Sequence, residues 1–372
     1  MKRVALITRR QFVSRAPAIL GSAAMLAACS TGTDAEGYEA VAARTWRLGA
    51  LNGLEGAALV IELVRYATLA PSSHNTQCWK FAVVDDEITI LPDWSRRTPA
   101  VDPDDHHLFV SLGCATENLV QAALAHGLAG EVRFDASSDA IRVKLAPAQA
   151  LASPLFKAIP ERQCTRGDYD GKPLSNEELL LLEAAGTADG VRMLLLTERS
   201  AMERVLDSVV EGNTAQMADP AFVKELKAWI RFNGVDAVRT GDGLFSVSSG
   251  NPSIPGWIGD LAFGLLFTPK RENDRYARQI RSSAGIAVFV GRVADKSHWI
   301  DVGRCYERFA LQATALGIRN AFVNQPVEAP SVRPLFASAI GLAGQRPDLV
   351  VRFGRGAALP PSLRRPVQAV LV

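Results

Sequence analysis

Ala70-Pro-Ser-Ser-His-Asn-Thr-Gln-Cys-Trp79 places six short polar side chains, Ser72 to Gln77, in one unbroken run. Hydroxyl, imidazole and amide groups so gathered can donate and accept hydrogen bonds along the edge of a planar, heteroatom-rich ligand. A plain alternative stands beside that reading, because Ser, Asn and Thr also satisfy the backbone of an ordinary helix-stop loop. No nucleophile–base pair or carboxylate pair accompanies the run, so no catalytic side chain is expected. No metal ligand set is expected either. The five cysteines show no CxxC spacing, and His106-His107 is an adjacent pair without ligand spacing on a helix.

The loop sits between two predicted elements. Apolar residues return at helical spacing from Leu59 to Leu69, and Pro71 stops that helix because it brings no N–H and disfavours helix before it. Trp79–Val84 reads as a strand that turns at Asp85-Asp-Glu87 into Ile88–Leu91, followed by a helix over His107–Ala125 and a hairpin of Glu131–Phe134 with Ile141–Leu145. Farther on, helices are predicted at Asn176–Ala185, Ala201–Glu211, Asp301–Leu316 and Val332–Leu342, and strands at Arg192–Leu196, Gly285–Val290, Arg319–Val323 and Leu349–Phe353. Two helices superimpose in sequence. Gly113-x-x-x-Glu117 runs to Gly127-Leu128, and Gly303-x-x-x-Glu307 runs to Gly317-Ile318 with the same spacing. Each terminal Gly suits a helix C-cap, and the matched order of elements indicates an internal duplication.

Ala-Pro-Ser-Ser-x-Asn-x-Gln-x-Trp resembles the flavin loop of the nitroreductase family, with Cys78 where that family usually has Pro, and its wording is similar to the Acg-type branch. The resemblance implies an FMN site and an α+β, nitroreductase-like fold. Two tandem halves, 51–150 and 151–372, would form an intrachain pseudo-dimer with antiparallel or mixed sheets flanked by helices. By the same resemblance Pro71, Ser72, Ser73, Asn75 and Gln77 would hold the isoalloxazine. Arg162, Cys164 and Arg166 would clamp the phosphate, where two guanidiniums suit a dianion. Cys164 departs from the family's hydroxyl, and the alternative for the arginines is a solvated surface pair. Asn324-Gln325-Pro326-Val-Glu328 resembles the segment near the flavin N5 edge. Arg352 and Arg355 resemble the basic residues that complete the phosphate site. His74 reads as a structural or edge-lining histidine. The counterpart positions, Gly186–Gly190 and Arg44–Arg47, lack both motifs, so one FMN per chain is expected. Residues 212–275 have no match in the first half. Their Gly, Pro and aromatic residues are similar to the lid of Acg-type proteins, the alternative being an insert that packs on the core.

The N-terminus reads as an address. Lys2, Arg3, Arg9, Arg10 and Arg15, without an acid, precede an apolar run from Ala16 to Ala28. Thr8-Arg-Arg-Gln-Phe12 resembles the twin-arginine export motif and Leu26-Ala-Ala-Cys29 a lipobox. The expectation is a signal over 1–28, lipidation of Cys29, a tether over 29–50, and a periplasmic or envelope protein held to a membrane. A Sec signal is the alternative. Removing 1–28 leaves 36 basic and 39 acidic residues, a net of about −3, which gives no reason to expect nucleic acid. Cys78, Cys114, Cys164 and Cys305 read as free thiols. The chemistry implied is flavin-mediated two-electron reduction of quinone-like or nitroaromatic compounds. The alternative is a flavin store of Acg type with little NAD(P)H turnover.

Overall fold

The computed structural model describes residues 37–49 and 53–372. The export motif, Cys29 and residues 30–36 and 50 of the expected tether lie outside the described residues. Helix α1 (Tyr38–Thr45) corrects the rest of that tether. Its Ala42 and Tyr38 pack with Ala237, Phe245 and Leu363, so the segment is a docked helix.

Helix α2 (Gly56–Thr68) ends just before Pro71, as the missing N–H requires. Strands β1 (Trp79–Val84) and β2 (Glu87–Pro92) pair through a tight turn at Asp85, whose φ is 51°. Helix α3 (His106–Ala125) leads to the hairpin of β3 (Leu128–Asp135) and β4 (Ala140–Pro147). The first sheet is antiparallel throughout, in the order β1-β2-β4-β3.

After the short helix α4 (Pro154–Ala158), α5 (Asn176–Gly186) opens on a capping box of Ser175 and Glu178. Strand β5 (Val191–Leu196) follows. A long interruption then carries α6 (Arg199–Ala218), α7 (Pro220–Trp229), the short strand β6 (Ile230–Arg231), α8 (Gly234–Thr240), the short strand β7 (Leu244–Phe245), α9 (Gly256–Leu266) and α10 (Pro269–Arg281). Strand β8 (Gly285–Gly291), helix α11 (Lys296–Ala315), strand β9 (Arg319–Phe322), helices α12 (Gln325–Glu328) and α13 (Arg333–Ala339), and strand β10 (Leu349–Gly354) complete the α-helices and strands of the described residues. The second sheet is again antiparallel, in the order β5-β8-β10-β9.

Both sheets therefore share one pattern when β1, β2, β3 and β4 are matched to β5, β8, β9 and β10. The connections differ most between the first two strands, which are joined by two residues in the first sheet and by residues 197–284 in the second. The last two are joined by residues 136–139 in the first and through α12 and α13 in the second. The range 197–284 corrects the expected insert of 212–275. The missed ends belong to α6 and α10, whose apolar faces resemble those of ordinary core helices.

The sheets meet through α3 and α11, which cross at paired glycines. A Cβ on Gly113 would lie 2.0 Å from the Ile300 carbonyl oxygen, and one on Gly303 would lie 2.0 Å from that of Val110. Each glycine thus sits against the residue three positions before the other. The C-terminal residues cross to the first sheet. Phe81 N–H donates to the Val370 carbonyl at 2.8 Å, extending the first sheet with the C-terminus, while Thr165 N–H donates to Asn320 at 2.8 Å beside the second.

Overpacking a filled interface costs typically 1–3 kcal/mol. Gly113→Ala is therefore expected to lose about 3 kcal/mol in urea unfolding. Gly264→Ala, where nothing lies within 4 Å of the new Cβ, should gain up to about 1 kcal/mol from helix propensity. Equal stability of Gly113→Ala and the parent would refute the close crossing.

Candidate functional site

The polar loop ends on one wall of the main cavity, whose room for water centres is about 220 Å³. Pro71, Ser72, Ser73 and His74 line it from the first half, with Val110, Ser111 and Cys114 of α3 behind them. Arg166, Phe322, Asn324, Gln325 and Glu328 face it from the second half. The interruption supplies the remaining wall through Gln216, Phe222, Leu226, Leu244, Phe267 and Tyr276, among others. A smaller cavity of about 60 Å³ is lined by Arg162, Cys164, Arg166, Ser248 and Arg364. Pro71, Ser72, Arg166, Leu244 and Phe322 line both cavities, so the two adjoin.

The loop itself is unusual backbone. His74, Asn75 and Gln77 all have positive φ, at 49°, 52° and 54°. Side chains other than glycine rarely adopt this region, Asn least reluctantly. The conformation is held from outside. Asn75 donates to the carbonyls of Gly243 and Leu363 at 3.0 and 3.1 Å, and Gln77 donates to Gly241 at 2.8 Å. Gln77 Oε1 accepts the N–H of Arg365 at 2.9 Å. These contacts already engage the amides of both residues expected at the isoalloxazine. Gln77 lines neither cavity, and Asn75 reaches only the smaller one; their amides bind the interruption and the C-terminal strap. Cys78 is buried, and burial pushes its thiol up to about 12. The four cysteines among the described residues are unpaired.

The expected phosphate clamp divides into different roles. Arg166 lines both cavities and makes no side-chain hydrogen bond or ion pair among the described residues. Arg162 is 2 % exposed, with Nε 3.1 Å from Glu307 Oε1 and Nη2 donating to the Leu69 carbonyl at 2.9 Å. Its Nη1 is buried without a partner. Burial raises the Glu307 carboxyl to about 7, against the opposing pull of Arg162. Arg162 is therefore no solvated surface arginine. It is half committed to the core. Arg352 departs further. It is fully buried, donates to the carbonyls of Thr165, Gly167 and Gln279, and lines neither cavity. Arg355 pairs with Glu178 at the surface, also away from both.

In the second half, Pro326 is buried and lies outside the lining, whereas its neighbours reach the cavity. Asn324 Oδ1 accepts the Val350 N–H at 2.8 Å, fixing the segment to β10. Gln325 Nε2 donates to the Tyr276 hydroxyl at 2.6 Å, and Gln216 donates to Glu328 at 2.7 Å. Gly212 makes this close approach feasible, since a Cβ there would lie 2.6 Å from the Gln325 carbonyl oxygen. Burial raises the Glu328 carboxyl above its ordinary value.

One grouping was not legible from spacing. Asp102, His106 and His107 bring ligand-type atoms within 4.8 Å of one another. They already serve each other and their neighbours. Asp102 accepts the N–H groups of His107 and Leu108 at 3.0 and 2.9 Å, and His106 lies 2.9 Å from Asp348. Burial holds His106 well below its usual range, with His107, Arg346 and Arg333 adding to the effect.

His74 faces the cavity with Nδ1 unpartnered, and burial, aided by Arg166, lowers its pKa from 6.5 to about 4. The unfolded chain then takes up a proton first on acidification. Stability contributed by neutral His74 is complete above 6.5 and is lost as pH falls toward about 4. His74→Gln should flatten this part of the profile, seen as a smaller drop in urea midpoint between about pH 7 and about pH 5. An unchanged drop would mean that the imidazole is protonated in the folded protein.

No protein-family model matches the chain. Among curated proteins, it is 26% identical over 317 residues to the putative NAD(P)H nitroreductase Rv3131 of Mycobacterium tuberculosis, covering 82% of this chain and 88% of that protein. It is 23% identical over 322 residues to the putative NAD(P)H nitroreductase acg of the same species, covering 82% and 93%. Among solved structures, a Desulfitobacterium hafniense nitroreductase with bound FMN matches at TM-score 0.36 and 18% identity, covering 58% of this chain and 96% of that one. The FMN-dependent nitroreductase NfnB of Mycobacterium smegmatis, in complex with NADPH, matches at TM-score 0.36 and 14% identity, covering 55% and 87%. The chain thus has an α+β fold of two matched antiparallel sheets, and across 82% of its length its sequence is similar to these putative NAD(P)H nitroreductases.

Proposed function

We propose that this chain is an FMN-binding oxidoreductase of nitroreductase type, reducing quinone-like or nitroaromatic compounds by two-electron transfer, with one flavin per chain. The observation that carries the reading is the composite cavity, in which the polar loop of one half meets Arg166 and the Asn324–Glu328 segment of the other. The matched sheets and the reciprocal glycine crossing support an origin by duplication, with the two halves standing as a pseudo-dimer.

The residues present fit FMN. Among the described residues the Arg166 side chain has no hydrogen-bond or ion-pair partner and Nη1 of Arg162 is orphaned; with Arg364 close by, the smaller cavity gathers three guanidiniums around the one carboxylate of Glu307, an excess of positive charge suited to a phosphate dianion. The adjoining larger cavity offers Ser72, Ser73 and the orphaned groups His74 Nδ1 and Gln325 Oε1 to a planar polar edge. Phe222, Leu226, Leu244 and Phe267 cover it with apolar surface. Bound there, FMN would supply the hydride chemistry. The chain's residues bind its two ends, fix its orientation and exclude water. Neutral His74 adds no charge to the cavity.

One observation favours the second reading, a flavin store. Tyr276 of α10 and Gln216 of α6 hydrogen-bond Gln325 and Glu328, latching the interruption onto the site segment. A store needs that latch closed; a turning-over enzyme must release it. The export address, with Cys29 as anchor, belongs to the same proposal and is supported by the N-terminal sequence.

Arg166 is the clean probe of the phosphate end, because Arg162→Ala would also strand Glu307. Arg166→Ala should weaken FMN by roughly 1.5–3 kcal/mol, the worth of a charge-assisted hydrogen bond, and leave riboflavin unchanged. Calorimetry with both ligands reads the difference, together with a stoichiometry of about one. Equal weakening of both would put the phosphate elsewhere. Two flavins per chain would sink the composite site.

A further inference from the structure

The two helices that cross at paired glycines also carry matched glutamates, Glu117 in α3 and Glu307 in α11. Both are buried, but their partners differ. Glu117 meets Arg304 and Arg308 at 3.2 and 3.1 Å, and those two side chains are partly exposed. Glu307 is wholly buried, and among the described residues its one ion-pair partner is Arg162, at 3.1 Å. Neither oxygen of Glu307 accepts a well-aligned hydrogen bond.

Arg162 faces two ways. It holds Glu307 on the core side, and it lines the smaller cavity with Nη1 unpartnered. Arg364, the other cation whose charge favours the Glu307 carboxylate, lines the same cavity. An anion that engages these guanidiniums from the cavity therefore weakens their hold on Glu307. A phosphate dianion does so, and its own charge repels the carboxylate as well.

The other groups around Glu307 do not replace that hold. From α3 come Cys114, whose thiol burial pushes well above its ordinary value, the neutral Asn118, and Glu117, which repels. Tyr306 of its own helix has a phenol that burial likewise pushes up. Helices α4 and α5 and strands β5 and β8 bring Phe156, Leu182, Met193 and Phe289 to this core, while Lys157, Glu177, Glu183 and Arg192 are exposed. Burial already lifts the Glu307 carboxyl to about 7 against the pull of Arg162.

We propose that filling the smaller cavity with the phosphate of FMN transfers a proton from solvent buffer to Glu307, so that phosphate binding and Glu307 protonation favour each other. This rests on the phosphate end assigned above. Because binding takes up a proton, FMN affinity falls as pH rises through the neutral range. Riboflavin, which has no phosphate, is indifferent.

The test is calorimetry on the full-length protein freed of flavin, in phosphate-free buffers of different ionisation enthalpy. If FMN raises the Glu307 carboxyl by one pKa unit from about 7, binding at about pH 7.5 should take up about half a proton per chain. Affinity should fall about fourfold between about pH 6.5 and about pH 8. Riboflavin should take up none. Arg364, pulled down to about 9 by burial, is still protonated at that pH. The second pKa of a phosphate monoester, about 6, acts in the opposite sense, since binding the dianion releases a proton. Glu307→Gln mimics the protonated carboxyl and should bind FMN without the uptake, with circular dichroism checking its fold. FMN binding without uptake in the parent overturns the linkage and leaves the flavin site standing. Uptake equal for both flavins, or kept in Glu307→Gln, also overturns it. Failure of both flavins to bind removes the linkage and the flavin site together.

Discussion

The site depends on one buried guanidinium. Arg364, on the C-terminal strap, donates through Nε to the Thr68 carbonyl at 2.6 Å and through Nη2 to those of Leu69 and Ala70 at 3.0 and 3.1 Å. Its Nη1 reaches Asn75 Oδ1 at 3.0 Å. Helix α2 ends there because Pro71 cannot continue it, which leaves its last carbonyls needing donors. A cation at a helix C-terminus is also favoured by the macrodipole. Burial nevertheless pulls the Arg364 pKa down to about 9, with Arg162 adding to the effect. The guanidinium is held by carbonyls, and no carboxylate pairs with it directly. That leaves the surrounding cavity short of negative charge.

The charge balance has a counterpart in the backbone. Three non-glycine residues of the loop occupy the left-handed region, at roughly 1–2 kcal/mol each for an ordinary side chain. Such strain persists where the surroundings over-determine it. Here three segments do so: the interruption at Gly241 and Gly243, the strap at Leu363 and Arg365, and α2 through the shared arginine. The cavity wall is consequently assembled from parts of the chain far apart in sequence.

What was legible in the sequence follows the same division. Local signals were readable: the helix stop at Pro71, the hairpin at Asp85, and the repeat of Gly113 with Gly303. The repeat had a physical cause that the sequence did not state, the mutual approach of two helix backbones at 2.0 Å from a would-be Cβ. Long-range pairing was not readable. Arg162 and Arg166 look equivalent in Arg-x-Cys-x-Arg, yet Glu307 engages one, and among the described residues no side-chain hydrogen bond or ion pair engages the other. Arg352 resembles a basic residue of a phosphate site, but β10 is central in its sheet and the side chain is buried in the core. The amides of Asn75 and Gln77 have the right chemistry for a ligand edge. Backbone carbonyls of the interruption and strap offer the same acceptors, and those took them.

The interruption between β5 and β8 changes how the two halves can be used. In the first sheet that connection is a two-residue turn, and in the second it is residues 197–284, so only one side of the crossing helices gains a cover. The cover is not a loose flap. Ile280 is fully buried in the second core, and Gln279 accepts from Arg352 at 3.3 Å, so α10 is rooted beneath the sheet. The latch lies on the roots themselves, because Gln216 of α6 bonds Glu328 and Tyr276 of α10 bonds Gln325. Between those helices, Phe222 of α7, Phe232 just before α8 and Phe263 of α9 are buried. Each latch bond contributes about 0.5–1.5 kcal/mol net, but breaking the pair requires α6 and α10 to move against the second core in which Val205, Val209 and Ile280 are buried.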